Sequence, residues 1–274
     1  MSNFFHCLFP RRVHYKKEFA IQDYPLAEII QQNREKLNEV KDWFDEEAMQ
    51  SSCFQYGVPD FIRDSINKPL NNDLTYTDLM AALAKKYFPD HIDYLEIGVS
   101  VGKNFYQVLH SVSKGNFTGF DIEEINPVLE RTLSFRSKKT WRTPASSIKK
   151  NDSSKKEYFF NENPVQYIAG DVWDENCWKK LEGRKYNLIF SDALHSPEAV
   201  LFEFEMIEKY NLLADRFIIF WDDLHGKMKK AFLNIVKKYN KEFMVKDVYL
   251  IRINGWIGQL ENAHPVGIIS NFSL

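Results

Sequence analysis

The segment "YLEIGVSVGKNF" (94–105) is the most informative part of the sequence, because it joins an apolar run to a helix-like segment through a small-residue loop. The loop holds Gly98, Ser100 and Gly102. Glycine has no Cβ and tolerates a left-handed backbone, so a loop of this kind lets the main chain approach a ligand closely. The stretch therefore predicts a strand, a ligand-binding turn and a helix.

Short apolar runs alternate with longer, helix-like segments from about residue 90 onward. The runs are "DYLEI", "FTGF", "VQYIA", "NLIF" and "FIIFW". This alternation is typical of a parallel sheet with helices on both faces. Two later strand-like runs, "FMVKDVYLIRI" and "PVGIIS", are joined by a loop alone and predict a closing antiparallel pair. The predicted fold class is α/β: a Rossmann-like, doubly wound, mostly parallel seven-stranded sheet with a C-terminal antiparallel strand.

The first 85 residues break this pattern and predict an N-terminal helical extension (1–85) before the main domain (86–274). Apolar residues recur at near-helical spacing in "YPLAEIIQQNREKLNEVKDWFDEEAM". The segment "TDLMAALAKKYF" predicts another helix, with Thr77 or Asp78 as its cap. Four aromatic residues of the extension could line an acceptor pocket or belong to the core, and the core is the commoner case: Phe54, Tyr56, Phe61 and Tyr76.

Composition narrows the class of protein. The chain has 274 residues, of which 44% are hydrophobic, and its formal net charge of −2 does not favour wholesale binding to nucleic acid. Three cysteines without a CxxC pair fit a reducing compartment better than a disulfide framework. The longest apolar runs are the size of a strand, far below a membrane span. We expect a globular, cytoplasmic protein without a membrane partner.

A basic insertion interrupts the alternation at about residues 131–160. Between Arg131 and Lys156 there are nine basic residues and one acidic residue, Asp152. A crossover between parallel strands would need fewer residues than this segment provides. The segment predicts either a solvated surface loop or a lid that meets an anionic substrate or partner.

The glycine loop fits two well-known phosphate motifs poorly. In a P-loop, Gly98 and Gly102 would be one residue too close, and Asn104 would replace the magnesium-binding hydroxyl. In the dinucleotide fingerprint, Ser100 and Lys103 would occupy the second and third glycine positions. Neither phosphate motif is favoured.

A third pattern fits the same loop. The spacing E-x-G-x-S-x-G, formed by Glu96, Gly98, Ser100 and Gly102, resembles motif I of the class I S-adenosylmethionine-dependent methyltransferases. An acidic residue at the end of the strand suits a cationic ligand, whereas it would repel a pyrophosphate. The resemblance covers roughly residues 90–270, and it implies that these four residues contact S-adenosyl-L-methionine.

Two more acidic residues follow the next two predicted strands. Asp121 comes 25 residues after Glu96, and Asp171 follows the third strand. The carboxyl ends of parallel strands are the ligand-binding edge of such sheets, although an aspartate there can also cap a helix. The resemblance implies that Asp121 binds the ribose hydroxyls and that Asp171 contacts the adenine. Neighbouring positions complete the cofactor site that it implies: Ile122, Gly170, Val172 and Asp192.

A second group of polar residues follows strands four and five. Asp192 and His195 stand in "SDALHS", and Asp222 and Asp223 stand in "WDDLHG". The arrangement is similar to that of the metal-assisted small-molecule O-methyltransferases, the catechol-type group and its sugar-modifying relatives. This resemblance implies Asp192, Asp222 and Asp223 as ligands of Mg²⁺, or of Mn²⁺ or Ca²⁺. His195, with Asp192, is the candidate general base.

Simpler interpretations stay open for this second group. The paired aspartates could merely favour a helix N-terminus, and His195 could be a polar loop residue. His225 is a weaker candidate for metal or acceptor contact. The lysine that lies near the metal-site aspartate in these relatives, and is a base in some of them, has no counterpart near Asp192, so the resemblance does not imply which acceptor is used.

The predicted function is that of an S-adenosylmethionine-dependent methyltransferase (EC 2.1.1 class) that O-methylates a small molecule with a sugar or phenol-like hydroxyl. One alternative is a non-catalytic regulatory or scaffold protein that binds the cofactor. Another is a nucleic-acid or protein methyltransferase that uses the basic insertion, although "SDAL" lacks the proline pair of base N-methyltransferases. By resemblance, the N-terminal extension covers the acceptor or contacts a second copy in a homo-oligomer.

Overall fold

The structure, a computed structural model, describes residues 13–20, 24–40, 72–135, 154–242, 245–255 and 264–274. Of the four aromatic residues that could line a pocket or belong to the core, three lie outside the described residues: Phe54, Tyr56 and Phe61. Most of the basic insertion, residues 136–153, lies outside them as well. None of the described helices has the length and apolar character needed to cross a bilayer.

The described residues form an alternating series of helices and strands. The helices are α1 (Leu26–Val40), α2 (Tyr76–Tyr87), α3 (Lys103–Ser111), α4 (Pro127–Arg131), α5 (Glu175–Lys179), α6 (Pro197–Lys209) and α7 (Gly226–Glu242). The strands are β1 (Ile92–Ile97), β2 (Gly115–Asp121), β3 (Ser134–Phe135), β4 (Ser154–Phe160), β5 (Asn163–Ala169), β6 (Tyr186–Ser191), β7 (Leu213–Trp221), β8 (Asp247–Ile253) and β9 (His264–Ser270).

All of these strands belong to one sheet, in the order β3-β4-β5-β2-β1-β6-β7-β9-β8. The five central strands, β5 to β7 in that order, run parallel. Strand β9 is antiparallel to β7, and β8 is antiparallel to β9. This arrangement confirms the predicted Rossmann-like, mostly parallel fold with a C-terminal antiparallel strand.

Two edge strands extend the sheet beyond the seven predicted strands. Strand β4 pairs antiparallel with β5 through a tight turn at Asn161, which has φ of 53°. Along β4, Tyr158 and Phe160 are buried, Lys155 and Glu157 are exposed, and Lys156 is partly buried. The end of the basic insertion is therefore an amphipathic strand between β3 and β5, and Lys156 pairs with Glu124 at 2.8 Å.

The sheet separates two hydrophobic layers, because alternate strand residues point to opposite faces. Tyr94 and Phe117 face the layer that contains α1, α2 and α3. Leu95 and Phe120 face the layer that contains α5, α6 and α7. Helices thus cover both faces, as in other doubly wound folds. Tyr76 is fully buried in the first layer, which agrees with its assignment to the core.

Helix α2 begins earlier than the sequence predicted. Its N-cap is Thr75, and neither Thr77 nor Asp78 holds that position. The Thr75 side chain accepts a hydrogen bond from the backbone N–H of Asp78, and the Asp78 carboxylate accepts one from the backbone N–H of Thr75. In a capping box the acidic residue stands three positions after the N-cap. Asp78 therefore belongs to the first turn of the helix, and its prediction as the cap was wrong. Asp78 also pairs with Arg34 of α1 at 2.8 Å, so both helices are fastened together.

Candidate active site

The predicted ligand loop lies at the point where the sheet order reverses. Strand β1 pairs with β2 on one side and with β6 on the other, so a crevice opens at its carboxyl end. Gly98 and Gly102 have φ of +85° and +83°. A Cβ at Gly98 would lie 2.4 Å from the backbone oxygen of Asp192. Only glycine fits at this position, because the loop after β1 touches the residue that follows β6.

Asp121 holds the glycine loop in shape. Its Oδ2 accepts hydrogen bonds from the backbone N–H groups of Val99 and Ser100, both at 2.7 Å, and its Oδ1 accepts one from Glu123 at 3.0 Å. Burial raises the pKa of Asp121, and these amide donors oppose the rise. Ser100 has a left-handed backbone with φ of 51°, which the two hydrogen bonds to the loop help to stabilise.

Glu96 lies beneath the loop and keeps one oxygen without a partner. Its side chain is 1% exposed. Its Oε2 accepts hydrogen bonds from the Tyr94 hydroxyl at 2.6 Å and from the Asn104 amide at 2.9 Å, whereas Oε1 is buried without a hydrogen bond. Burial raises the pKa of Glu96 well above its ordinary range. A buried acceptor without a donor is costly, so this oxygen fits a ligand that brings a donor or a positive charge.

The turn after β5 places one aromatic side chain at the same sheet edge. Gly170 donates its N–H to the backbone oxygen of Asp121 at 2.7 Å, which fixes this turn beside the glycine loop. Val172 is buried in the core, but the next residue, Trp173, is 44% exposed. Ile122, after β2, is 41% exposed. Trp173, which the sequence analysis did not name, is therefore the exposed aromatic side chain of this turn.

Asp171 adds a carboxylate to this turn. It is exposed, and its Oδ1 accepts a hydrogen bond from the backbone N–H of Trp173 at 2.9 Å. This contact is the local turn expected of an aspartate at the end of a strand. The three predicted acidic residues of the cofactor site, Glu96, Asp121 and Asp171, therefore all follow or end neighbouring parallel strands.

The second predicted group gathers at the ends of β6 and β7. Asp192 donates its N–H to Ile97 at 2.7 Å, and Asp222 donates its N–H to Ser191 at 3.1 Å. Parallel pairing therefore places both carboxylates at the same edge as the glycine loop. His195 lies between Asp192 and Asp223: its Nε2 is 2.9 Å from Oδ1 of Asp192 and its Nδ1 is 3.2 Å from Oδ2 of Asp223.

His264 joins this group, although the sequence analysis did not select it. Its Nδ1 lies 3.0 Å from Oδ2 of Asp222 and 3.1 Å from Oδ1 of Asp223. One potential ligand atom from each of Asp222, Asp223 and His264 lies within 4.8 Å of the others. The sequence alone carries no signal for this placement, because it depends on the antiparallel pairing of β9 with β7, which carries the first residue of β9 past the end of β7.

Mutual charge shifts the ionisation of this group. Burial, and then the carboxylate of Asp222, raise the pKa of Asp192 to about 7. The hydrogen bond to Asp192 raises the pKa of His195 to about 9. Burial lowers the pKa of His264, but its hydrogen bonds to Asp222 and Asp223 outweigh burial and raise that pKa to about 10. The same contact with His264 lowers the pKa of Asp223. The positive charges of the two imidazolium groups thus offset the negative charges of the neighbouring carboxylates.

His225 remains at the margin of the group. Its Nε2 is 3.9 Å from Oδ1 of Asp223, and its side chain is 64% exposed. Its imidazole makes no closer polar contact among the described side-chain hydrogen bonds and ion pairs. The predicted residues therefore lie in two adjoining groups along one sheet edge, the glycine loop and the carboxylate–histidine cluster. The two groups meet where Gly98 packs against the backbone of Asp192.

Comparison with known proteins gives matches among solved structures alone. No family model matches the chain, and no curated protein matches it. An O-methyltransferase from Bacillus cereus in complex with SAH is 12% identical over 84% of this chain and 98% of that chain, with a TM-score of 0.49. The O-methyltransferase TomG from Streptomyces achromogenes, in complex with SAM, is 13% identical over 86% and 97%, with a TM-score of 0.45.

A third match is the SAH-bound methyltransferase PaMTH1 from Podospora anserina. It is 16% identical over 94% of this chain and 98% of that chain, with a TM-score of 0.44. The chain is similar to each of these methyltransferases at low identity. The fold class rests on the strand order of the chain itself.

Proposed function

We propose that this chain is an S-adenosylmethionine-dependent methyltransferase that O-methylates a small molecule bearing a sugar or phenol-like hydroxyl, with assistance from a divalent metal. The observation that carries the proposal is the contact between Gly98 and Asp192. Through this contact, a loop suited to a cationic nucleoside adjoins a cluster of carboxylates and imidazoles suited to activate a hydroxyl.

The cofactor assignment is supported by the donors and acceptors around the loop. The unpaired oxygen of Glu96 can accept a hydrogen bond from a cationic amino group, whereas a phosphate would be repelled. Asp121 shapes the loop and offers its carboxylate for ribose hydroxyls. The exposed Ile122 and Trp173 are the apolar surfaces that we assign to the adenine, with Val172 supporting them from the core. Further contacts are assigned to the loop and the β5 turn: Gly98, Ser100, Gly102, Gly170, Asp171 and Asp192.

The metal assignment is supported by the convergence of carboxylates. We assign Asp192, Asp222 and Asp223 as ligands, since oxygen ligands suit Mg²⁺, Mn²⁺ or Ca²⁺. When bound, such an ion lowers the pKa of an acceptor hydroxyl, and the activated methyl donor leaves positioning as the remaining task. The residues present fit a cation site, because the negative charges of Asp192 and Asp222 are neutralised by His195 and His264 when no metal ion is bound.

His195 is assigned as the general base, paired with Asp192. To accept a proton it must first be neutral, and its pKa of about 9 keeps it protonated in the metal-free arrangement. A positive charge near Asp192 and Asp223 would lower that pKa, because it disfavours a second positive charge close by. Base catalysis and metal binding are therefore coupled in this proposal.

The remaining assignments concern organisation and location. We assign residues 86–274 to the methyltransferase domain and residues 1–85 to an extension that covers the acceptor or contacts a second copy. Support for the extension is the capping box and ion pair that fasten α2 and α1 beside α3. A cytoplasmic location is supported by the cysteine usage, which is three cysteines without a CxxC pair.

Cofactor binding is tested by thermal unfolding with S-adenosylmethionine or its demethylated product, since a ligand of the folded state raises the melting temperature. We expect a shift for the unaltered chain and none for Asp121→Ala, because two loop amides lose their acceptor. Asp121→Asn, which keeps one oxygen, should retain a reduced shift. The matched control is Asp93→Ala, at the opposite end of β1, with the shift intact. An intact shift in Asp121→Ala would remove the cofactor assignment.

Catalysis is tested separately by transfer of a tritiated methyl group into fractions of a cell extract sorted by molecular size. Transfer into the small-molecule fraction, lost in Asp192→Ala and Asp222→Ala, is the expected result. Transfer into nucleic acid or protein would overturn the acceptor class. Cofactor binding without transfer into any fraction, with Mg²⁺ and Mn²⁺ supplied, would identify a non-catalytic binding protein instead.

A further inference from the structure

A histidine faces the two carboxylates at the end of β7. Nδ1 of His264 lies 3.0 and 3.1 Å from the two carboxylate oxygens of Asp222 and 3.1 Å from Oδ1 of Asp223. Nitrogen and oxygen ligands bind a small divalent ion at about 2.1 Å, so ligand atoms around one ion lie about 3–4 Å apart. The three side chains already present their ligand atoms within 4.8 Å of one another. Small side-chain rotations are enough to bring them onto one ion.

The backbone fixes these three side chains from two different strands. Asp222 and Asp223 follow β7, and His264 begins β9, which pairs with β7 from Trp221 opposite Gly267. Asp222 is 4% exposed, and its Oδ1 accepts a hydrogen bond from the N–H of Asp223 at 2.8 Å. The carboxylate of Asp222 therefore cannot turn away into solvent. A ligand set held on paired strands is preorganised for binding.

The imidazole ring of His264 is also restrained on its far side. The Tyr76 ring packs against it edge-on, with centroids 6.0 Å apart. A Cβ at Gly255 would lie 2.8 Å from Nε2 of His264, so the chain approaches that side of the ring closely. These contacts direct Nδ1 of His264 toward the carboxylates.

We propose that His264 is a metal ligand together with Asp222 and Asp223, so that the site prefers a transition-metal ion such as Mn²⁺, Fe²⁺ or Zn²⁺ over Mg²⁺ and Ca²⁺. The inference rests on the proposed function for the use of the metal, and it changes which ions the site should select. Mg²⁺ and Ca²⁺ are hard ions that take oxygen ligands, whereas imidazole is a ligand of zinc, iron and other transition metals. The remaining positions around the ion are left to Asp192 and an acceptor oxygen.

The competing role for His264 is a permanent ion pair. In that case the imidazolium neutralises Asp222 and Asp223 and never releases them to a metal. The two roles differ in one direct observable, which is whether a nitrogen atom of the protein is bonded to the added ion.

The experiment uses the full chain after treatment with a chelator, titrated with Mn²⁺ alone or Mg²⁺ alone in a calorimeter. Bound Mn²⁺ is then examined by pulsed electron paramagnetic resonance, which detects coupling to a ligating ¹⁴N nucleus. We expect Mn²⁺ to bind at least about tenfold more tightly than Mg²⁺, with ¹⁴N coupling present, because imidazole favours the transition metal. The spectrum of the unaltered chain tests the proposal even if a variant fails to fold.

Variants identify which histidine supplies the nitrogen. His264→Gln should lose the ¹⁴N coupling and at least about tenfold in Mn²⁺ affinity, while Mg²⁺ affinity changes less. The matched control is His225→Gln, which also borders Asp223 but is exposed; both readouts should be unchanged. His195→Gln should keep the coupling. Coupling that disappears in His195→Gln and persists in His264→Gln would overturn the assignment.

Two further outcomes overturn the inference and separate it from the proposed function. Mn²⁺ binding without ¹⁴N coupling would leave a site built from carboxylates alone, and metal assistance would survive. Absence of binding by either ion, with the cofactor-induced thermal shift retained, would leave His264 as an ion-pair partner. If S-adenosylmethionine caused no thermal shift in the unaltered chain, the cofactor assignment would be wrong, and the metal-ligand assignment of His264 would be unaffected.

Discussion

The two halves of the site balance their buried carboxylates in different ways. The loop half, made of Glu96, Gly98, Ser100, Gly102 and Asp121, uses neutral donors: backbone amides, a tyrosine hydroxyl and an asparagine amide. The histidine half, made of Asp192, His195, Asp222, Asp223 and His264, uses imidazoles.

Because of this difference, the two halves should differ in how strongly they depend on pH and on metal ions. A backbone amide donates the same hydrogen bond at any pH at which the protein is folded. An imidazole carries a positive charge only while it is protonated. The imidazolium ion then competes with any other cation for the same carboxylates. The loop half should therefore keep its shape when conditions change, and the histidine half should respond to pH and to metal ions.

The largest effect is expected from Gly98→Ala, which breaks the contact between the two halves. An alanine Cβ would lie 2.4 Å from the backbone oxygen of Asp192 and would sit at φ of +85°. Overpacking of this kind costs about 1–3 kcal/mol, and the left-handed backbone adds about 1–2 kcal/mol. Unfolding by denaturant should show this loss, and calorimetry should show weaker binding of both cofactor and metal.

Gly183→Ala is the matched control for Gly98→Ala. Gly183 has φ of +80°, but a Cβ there would meet no atom within 4 Å. It should lose only the backbone contribution and keep both ligands. Equal losses in the two variants would mean that the contact with Asp192 does not couple the halves.

A smaller effect is expected from pH on the chelator-treated protein. The pKa values of His195 and His264 are raised from 6.5 to about 9 and about 10. Stabilisation from these imidazolium ions is complete below pH 6.5 and is lost as pH rises through the two raised values. The raised pKa of Asp192, about 7, acts in the same direction. The melting temperature should therefore fall between pH 6.5 and pH 9.

Added Mn²⁺ sharpens the pH measurement. A cation that replaces the imidazolium ions on Asp222 and Asp223 should flatten the dependence, because the carboxylates are then neutralised without a proton. The His264→Gln variant should also show a flatter profile than the unaltered chain. A melting temperature that rises from pH 6.5 to pH 9 would contradict the assignment of imidazolium ions to this half.

The smallest effect on stability is expected from Glu96→Gln in the loop half. Glutamine keeps the shape and an acceptor oxygen but removes a charge that burial disfavours, so the unfolding free energy should be nearly unchanged or slightly increased. Affinity for S-adenosylmethionine should fall by about tenfold or more, since hydrogen bonds to a charged group are worth about 1.5–3 kcal/mol. Calorimetric titration measures the affinity.

Glu203→Gln is the control for Glu96→Gln. Glu203 is equally buried and hydrogen-bonded to Ser191, but it lies in α6 on the other face of the sheet. Its pKa is raised to about 8 by burial. Cofactor affinity should be unchanged in this variant. An equal loss of affinity would mean that any buried charge change near the sheet edge weakens binding.

The loop half could be predicted from the sequence because its contacts are local or follow from parallel strand order. Glu96, Gly98 and Gly102 lie within one strand-loop-helix unit, and Asp121 ends the next strand. Once the alternation of strands and helices is recognised, the carboxyl ends of the strands share one edge. The same rule placed Asp192 and Asp222 beside this loop.

The features that sequence analysis missed depend on contacts between distant segments. His264 reaches the site because β9 is antiparallel to β7, and this register cannot be read from "HPVGIIS" alone. Strand β4 was taken as part of a loop because its charged residues hid the alternation that buries Tyr158 and Phe160. Trp173 is exposed because Val172 fills the core, a choice made by tertiary packing.

Asp223 holds a left-handed backbone, with φ of 51°, that glycine would adopt more easily. A change to glycine would relax the turn and delete a carboxylate in the same step. Selection for heat resistance would therefore weigh a relaxed turn against the ion pairs of Asp223 with His195 and His264, whereas selection for chemistry would favour aspartate. Residue 223 is thus the position at which backbone conformation and side-chain chemistry oppose each other.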